Sequence, residues 1–443
     1  MMYAAAGVIL GVLYTLSPLS ACCAVWVAGL IWWTVRGTGA RERRWVASVL
    51  IAAAAIRAAL VAVLPFTFAP GERTFTSYFG DAVYAIQRSI WIRNVFVGVP
   101  IAPRDFFEAF EPVFGYSSYN VVLAYLHTLF GPSPYGVALV TAAIFLTAAA
   151  ILYRRCRAAF GPLPAIAALC ATVLLPSWIA WTVAPLKEAI ELLLIVLAIE
   201  ATVLVFRGRV SMRVLGAMAV AAALAASATL RTGSGAVAAA SIGGGVLLYF
   251  VTRRWWLIAA AAVVLPVVLL VAMREPPIHQ RVAAAVLDAA KRHRGHTFST
   301  GAYYRILDET FYQVRDFNEP IYIHQDEAIR FLGRAPLALL AEPLPWALDS
   351  PKWALVVPQQ VIWYALLLLA IVGVAAGGRR DPLTTCLFAG VIVAAVAIIA
   401  PNSGNIGTAI RHRDVIAPFV AGLAGIGGQA IANRMAQKAK VTI

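Results

Sequence analysis

Charge is what this sequence has least of. Only 13% of its 443 residues are Asp, Glu, Lys or Arg, where a soluble domain carries roughly 25%. Cysteine is scarce as well. Cys22, Cys23, Cys170 and Cys386 fall inside apolar runs and Cys156 lies in a basic cluster, so no disulfide framework is implied. There is no Gly-rich phosphate loop, CxxC pair, HExxH or GxSxG, which removes the motif-defined nucleotide, zinc and hydrolase chemistries. Fixed-period repeats and low-complexity tracts are missing too. The first residues carry neither a basic n-region nor a clear cleavage site, and are not read as a removable signal.

What is present is apolar. Hydrophobic residues make up 61% of the chain and the mean hydropathy is +0.81. Runs of about 20 apolar residues, long enough to cross a bilayer, recur along nearly the whole length. In lipid each backbone group needs an internal partner, so such runs are helices; they lack the alternation of barrel strands. The fold class expected is all-α and polytopic. Spans are expected at 46–68, 135–153, 163–183, 186–206, 213–230, 235–252, 254–273, 354–376, 383–400 and 414–432. The stretch 4–35, broken at Ser17 and Pro18, adds one or two more, for about 11–12 in all. They divide into an N-terminal module, 1–273, with a first outer loop at 69–116; a large outer loop, 274–352; and a C-terminal module, 353–443. A helix at 117–130 lies along the outer face, because counting it as a span breaks the alternation.

The net charge of +15 does not point to nucleic acid, because the basic residues sit in short clusters between apolar runs. One alternating set of loops holds Arg36, Arg41, Arg43 and Arg44, then Arg154, Arg155 and Arg157, then Arg207, Arg209 and Arg213. It continues through Arg253, Arg254, Arg379, Arg380, Arg434, Lys438 and Lys440, seventeen basic residues against Glu42 and Asp381. The opposite set is nearly neutral. The positive-inside rule assigns the basic set to the cytoplasm and the expected location to a bacterial inner membrane. The long polar and aromatic segments then face the periplasm or exterior.

Chemistry is therefore sought on that outer face. Asp81 in TSYFGDAVY follows soon after a span; partial desolvation there suits a working base, and the competing reading is a solvated loop acid. In APLKEAI, Lys187 and Glu188 sit at a helix start and Glu191 one turn inside. A helix N-terminus favours anions, and an acid at membrane depth is a functional hypothesis by default. The plain alternative is a capping ion pair. Arg231 ends a span, and Arg411 and Arg413 precede the last one; a guanidinium suits bidentate phosphate contact, with interfacial snorkelling as the alternative. The large loop mixes aromatics with Tyr322, His324 and Asp326, a combination suited to sugar hydroxyls and apolar sugar faces, or to a plain interfacial cap. As a metal site His324-x-Asp326 is too sparse, and no metal ligand set is assigned.

Taken together, these residues resemble the GT-C superfamily of membrane glycosyltransferases, of the protein mannosyltransferase and aminoarabinose transferase kind. The family's acidic first-loop residue, followed by Tyr, corresponds to Asp81 and Tyr84. Its aromatic outer helix ending in Leu-Phe-Gly corresponds to YNVVLAYLHTLFG, 119–131. Its basic-Glu pair corresponds to Lys187 and Glu188, and its Arg-x-Arg with a following Pro to Arg411, Arg413 and Pro418. Two departures stand out: Gly80 occupies the place of a second acid, and Thr232 that of a proline after Arg231.

The resemblance implies an inverting glycosyltransferase that takes a sugar from a polyprenyl-phosphate carrier to a glycan, lipid or protein acceptor outside. Asp81 would be the catalytic base. Lys187, Arg231, Arg411 and Arg413 would hold the donor phosphate, Tyr84, Glu188 and Glu191 would support it, and Tyr322, His324 and Asp326 would touch substrate. With those cations a metal is not required for a monophosphate carrier, whereas a diphosphate carrier raises the need for a divalent ion. The alternative class is a transporter or flippase, or a polymerase or ligase, of lipid-linked glycan intermediates. Transporters place substrate groups at the midplane, often within internal repeats, whereas here the charges gather at one face and no repeat is found.

Overall fold

A computed structural model describes residues 17–64, 80–111, 117–298, 302–313, 322–347 and 356–441, together with Gly7 and Gly11. Among these residues there is no β-strand, only one isolated bridge between Tyr303 and Asn405. Among the described residues eight helices are long and apolar enough to cross a membrane, or up to 11 if each bent pair counts as one span. The chain is thus an all-α, polytopic membrane protein. It divides into two compact units, Met1–Ala238 and Ala239–Ile443.

In the first unit, α1 (Pro18–Val35) and α2 (Ala40–Val63) are followed by α3 (Gly80–Phe96), α4 (Pro103–Phe110) and α5 (Ser118–Phe130). Then come α6 (Pro134–Phe160), α7 (Pro162–Leu174), α8 (Pro176–Thr182), α9 (Glu188–Arg207) and α10 (Val210–Leu230). Proline opens α1, α4, α6, α7 and α8, where its missing N–H costs nothing and its fixed φ already suits the helix. α5 has 13 residues, about 20 Å at 1.5 Å per residue, too short for a hydrocarbon core of about 30 Å.

Charged side chains tie one end of this unit together. Glu42 at the start of α2 accepts from Arg157 Nε at 2.6 Å and from Tyr153 Oη at 2.6 Å, both on α6. Arg155 pairs with Glu200 of α9 through two contacts, one of them 2.6 Å. Arg154 donates to the Trp33 carbonyl of α1 at 2.7 Å and lies over the same residue's ring. The opposite end has an apolar core, in which Val61, Ala138 and Val183 pack together. So do Leu19, Tyr119, Leu123, Val137 and Leu230.

The second unit takes most of α11 (Ser234–Val251), then α12 (Trp255–Ala272), α13 (Pro276–Thr297), α14 (Glu309–Gln313) and α15 (Gln325–Ala341). It ends with α16 (Val357–Arg380), α17 (Pro382–Ile399), α18 (Ile406–Asp414) and α19 (Ala417–Val441). Here too the basic end closes on itself, with Arg380 donating to Gln429 Oε1 at 2.8 Å. Two crossings depend on glycine. A Cβ on Gly427 would overlap the Leu369 carbonyl and one on Gly373 the Leu423 carbonyl, while Gly390 lies against Gly245 and the Ser241 carbonyl. Small residues let membrane helices approach this closely.

Three features differ from the sequence reading, each for a physical reason. The span drawn at 163–183 is two helices bent by 56°. Pro176 has no N–H to continue α7 and holds Leu175 extended, at φ −60° and ψ 123°. The basic ends run further into helix than hydropathy suggests. Arg41, Arg43 and Arg44 form the first turns of α2, and α6 continues through Arg157 to stop only at Gly161, φ 96°. The segment 274–352, drawn as a loop, is largely helical among its described residues, and Arg411–Arg413 lie on the short helix α18, bent 61° from α19. Most of 4–16 and 65–79 lies outside the described residues.

Gly427→Leu is expected to lower stability by roughly 1–3 kcal/mol through overpacking. Gly428→Leu, where no atom lies within 4 Å of a Cβ, serves as the control. Thermal unfolding in detergent checks this, and equal midpoints for the two variants would contradict the close crossing.

Candidate functional site

Of the sequence-selected residues, Asp81, Tyr84, Lys187, Glu188, Glu191 and Arg231 fall in the first unit, and Tyr322, His324, Asp326, Arg411 and Arg413 in the second. Each set is described by itself.

In the first unit the apolar end carries a cluster of polar side chains. Asp81 lies exposed in the first turn of α3, where the helix dipole favours a carboxylate. The next residue, Ala82, is fully buried against Ala184 and Leu186, with Val83, Ile86 and Trp181 around them. The start of α3 is thereby fixed to the turn that leads into α9. That turn is closed by the Leu186 N–H donating to the Ala184 carbonyl at 2.8 Å, and its residues Val183 to Leu186 are buried. Lys187 follows as the residue before α9, half-buried, and Glu188 is only 4% exposed.

Glu191, one turn on, accepts a 2.9 Å hydrogen bond from Ser234 Oγ. The charges of Glu188, Arg231 and Lys187 all act on it. Arg231 is the exposed residue that ends α10, its carbonyl held by the Ser234 N–H at 3.1 Å. Tyr119 of α5 is buried in the same cluster as Leu230, and its phenol is 3.4 Å from Thr141 Oγ1. Burial, with Glu188 adding to it, pushes that phenol well above its usual range. Ser118 and Thr229 hydroxyls meet at 2.8 Å. Lys187, Glu188, Glu191 and Arg231 thus share one electrostatic neighbourhood, and Asp81 opens the helix packed on its edge. Tyr84 instead lies under the Arg88 guanidinium, 5.2 Å from its ring centre.

Beneath this end lies a residue the sequence reading counted only as part of a span. Arg57 is fully buried, its Nε donating to Thr182 Oγ1 at 2.7 Å and its Nη1 to the Ala53 carbonyl at 3.1 Å. The guanidinium lies 4.8 Å from the Phe145 ring centre, and Phe145 stacks on Trp178. Among the described residues its Nη2 has no hydrogen-bond partner. An intramembrane arginine is the signal that marks it in sequence. What sequence alone does not give is its pairing with Thr182 at the end of the broken span.

In the second unit, Arg413 is buried and engaged: Nη1 donates to the Glu342 carbonyl at 3.0 Å and to Gln360 Oε1 at 2.9 Å, over the Trp363 ring. Arg411 is half-buried. Tyr322 is 78% exposed, His324 is the residue before α15 and makes no side-chain capping bond, and Asp326 is ion-paired with Arg330 at 2.9 Å, which holds its carboxyl below the usual range.

The buried polar centre of this unit is formed by other residues. His293 Nε2 meets Tyr312 Oη at 3.0 Å, and its Nδ1 meets the Ser403 carbonyl. Tyr304 Oη donates to the same carbonyl at 2.8 Å, and Ser403 Oγ lies 2.6 Å from His412 Nδ1. Among the described residues no group of three or more His, Cys, Asp or Glu is placed to hold a metal ion.

The fold and these charges define a multi-pass helical membrane protein whose polar side chains gather at the ends of its helices. No family model matches the chain, and no curated protein or solved structure was found to match it.

Burial pushes the His293 imidazole from 6.5 down to about 4. The unfolded chain therefore binds the extra proton between those values, and this part of the stability is lost as pH falls from 6.5 toward 4. Thermal midpoints in detergent are expected to drop across that window, with a shallower drop in His293→Gln. A slope unchanged by the substitution would contradict the buried neutral state.

Proposed function

We propose that the chain is a membrane glycosyltransferase that moves a sugar from a polyprenyl-phosphate donor to an acceptor at the end of the first unit where α3 and α9 begin. The observation that carries this reading is the packing of Ala82 on Ala184 and Leu186. It sets the turn bearing Asp81 beside the turn bearing Lys187 and Glu188, and Arg231 acts on the same neighbourhood.

In this reading Asp81 takes the proton of an acceptor hydroxyl as that oxygen attacks the anomeric carbon and the carrier phosphate leaves. Lys187 and Arg231 neutralise the charge developing on the phosphate, where fixed cations at a partly dry site act most strongly. Glu188 and Glu191 orient those cations, with Ser234 holding Glu191. Arg411, Arg413, Tyr322, His324 and Asp326 belong to the second unit and are given no role at this site. The basic ends lie on the cytoplasmic side of a bacterial inner membrane and the site faces outward, as the distribution of arginine suggests.

One observation favours the transporter reading. The span formed by α7 and α8 is broken, and discontinuous helices line the substrate paths of many transporters. Asp81→Asn separates the two. It retains size and hydrogen bonding but accepts no proton, and general-base contributions are typically about 100- to 10,000-fold. Purified Asp81→Asn is expected to bind polyprenyl-phosphate sugars and to lose turnover by a factor in that range, read as release of polyprenyl phosphate. Turnover near the parental rate would refute the assignment. Substrate translocation with no glycosylated product in the parent would support transport instead.

A further inference from the structure

Arg57 stands on the buried face of α2. Val46, Leu50, Ala53, Arg57 and Val61 are the buried residues of that helix. They are spaced three or four apart and so form one stripe against the rest of the unit. From Arg57 to the last residue of α2, Val63, is about 9 Å at 1.5 Å per residue. A cation at that depth is costly. Its contacts offset little of the cost, because the Thr182 hydroxyl, the Ala53 carbonyl and the Phe145 ring are all neutral. No carboxylate pairs with it among the described residues. An apolar side chain of similar volume would leave no orphaned charge behind, so the arginine does not serve stability.

What it holds is the end of α8. Thr182 is the last residue of that helix and fully buried; its hydroxyl donates to the Trp178 carbonyl and accepts from Arg57 Nε. The ring beneath the guanidinium, Phe145, stacks on Trp178 of the same helix. One residue on, Val183 packs against Val61, one turn further along α2. Two adjacent positions at the end of α8 are thus pinned to two successive turns of α2. The chain then passes through Ala184 and Leu186, which meet Ala82, and delivers Lys187 and Glu188 to the start of α9. α8 has only seven residues and starts at the break before Pro176, and a helix that short does not hold its own end in place.

We propose that Arg57 is a positioning residue for the turn that carries Lys187. It acts through Thr182 and touches neither donor nor acceptor. The proposal rests on the reading of that turn as the place where the donor phosphate is held. With Thr182 fixed, Lys187 stands where charge develops on the leaving phosphate. Without that grip the turn shifts and the contact made in the transition state is lost. A misplacement of about 1 Å costs about 100-fold in rate, and the loss falls on kcat with the donor KM unchanged.

The test uses the full chain in detergent. Hydrogen exchange over 183–188 reads the turn without substrate, thermal midpoints read stability, and release of polyprenyl phosphate reads turnover. R57M is expected to melt at or above the parental midpoint, to exchange faster at 183–188 alone, and to lose kcat by about 100-fold at an unchanged donor KM. T182V leaves the buried cation without its hydroxyl partner, so it melts below the parent with the same loss of kcat. T182S keeps the hydroxyl and matches the parent. R57M/T182V loses no more kcat than either single variant, because both act through one contact. Losses that multiply in the double variant would overturn the proposal, as would parental kcat or parental exchange in R57M. So would a lowered midpoint in R57M with exchange raised throughout the chain, the mark of a merely structural role. If R57M fails to fold, T182S and T182V decide, and equal exchange in those two would overturn it. A parent that releases no polyprenyl phosphate, while R57M still loosens 183–188, refutes the glycosyltransferase reading and leaves Arg57 as the residue that sets the turn.

Discussion

A hydrocarbon slab offers no water to satisfy an N–H, a carbonyl or a charge, and nearly everything in this molecule answers to that constraint. Backbone groups are paired inside helices, so the fold is all-α. Where a helix must stop, the chain uses residues that lose little by stopping: proline stands at the first or second position of eight of the described α-helices, and Gly161 with positive φ closes α6. Helices that cannot gain from hydrophobic burial in lipid gain from close contact instead, and Gly373, Gly390 and Gly427 mark where they touch.

The same constraint sorts the charges. At the basic end of the first unit Glu42 is taken up by Arg157 and Glu200 by Arg155, while Asp381 of the second unit caps α17 through the Thr384 N–H. The excess arginines are left at the surface, where headgroups and water can reach them. At the other end of the first unit the charges of the two signs nearly cancel, and packing of Ala82 on Leu186 locks two helix starts together. Arg57 breaks the sorting rule. It is a cation fully inside the unit, steadied by Thr182, a backbone carbonyl and the Phe145 ring. Its donors reach the end of the broken span, directly below the turn that carries Lys187. A buried charge of this kind stiffens the floor of the site at an expense of several kcal/mol in desolvation.

Much of this was legible in the sequence, because apolar run length and the position of arginine respond to the bilayer directly. The ten numbered spans all correspond to helices or bent helix pairs, and α5 is the short helix that alternation required. Boundaries were least legible at the basic ends, since hydropathy stops at an arginine while backbone hydrogen bonding does not; α2 and α6 both run through theirs. Within the site, Lys187, Glu188, Glu191 and Arg231 stood out as charges at span ends. Tyr119 and Ser234 did not, because a tyrosine or serine in an apolar context looks ordinary until its neighbours are known. Arg413 illustrates the limit of reading by residue type. A guanidinium suited to phosphate is here committed to Glu342 and Gln360, and only the packing of α15 on the end of α16 shows it.

The central claim is that a lipid-linked phosphate comes to the end of the first unit where α3 and α9 begin. Its most direct test is an experimental structure of the chain with a non-hydrolysable polyprenyl-phosphate sugar bound. The account predicts the phosphate in contact with Lys187 and Arg231, and the sugar's anomeric carbon facing Asp81. Density for the phosphate at mid-membrane depth, or at the basic end among Arg36–Arg44 and Arg154–Arg157, would contradict it.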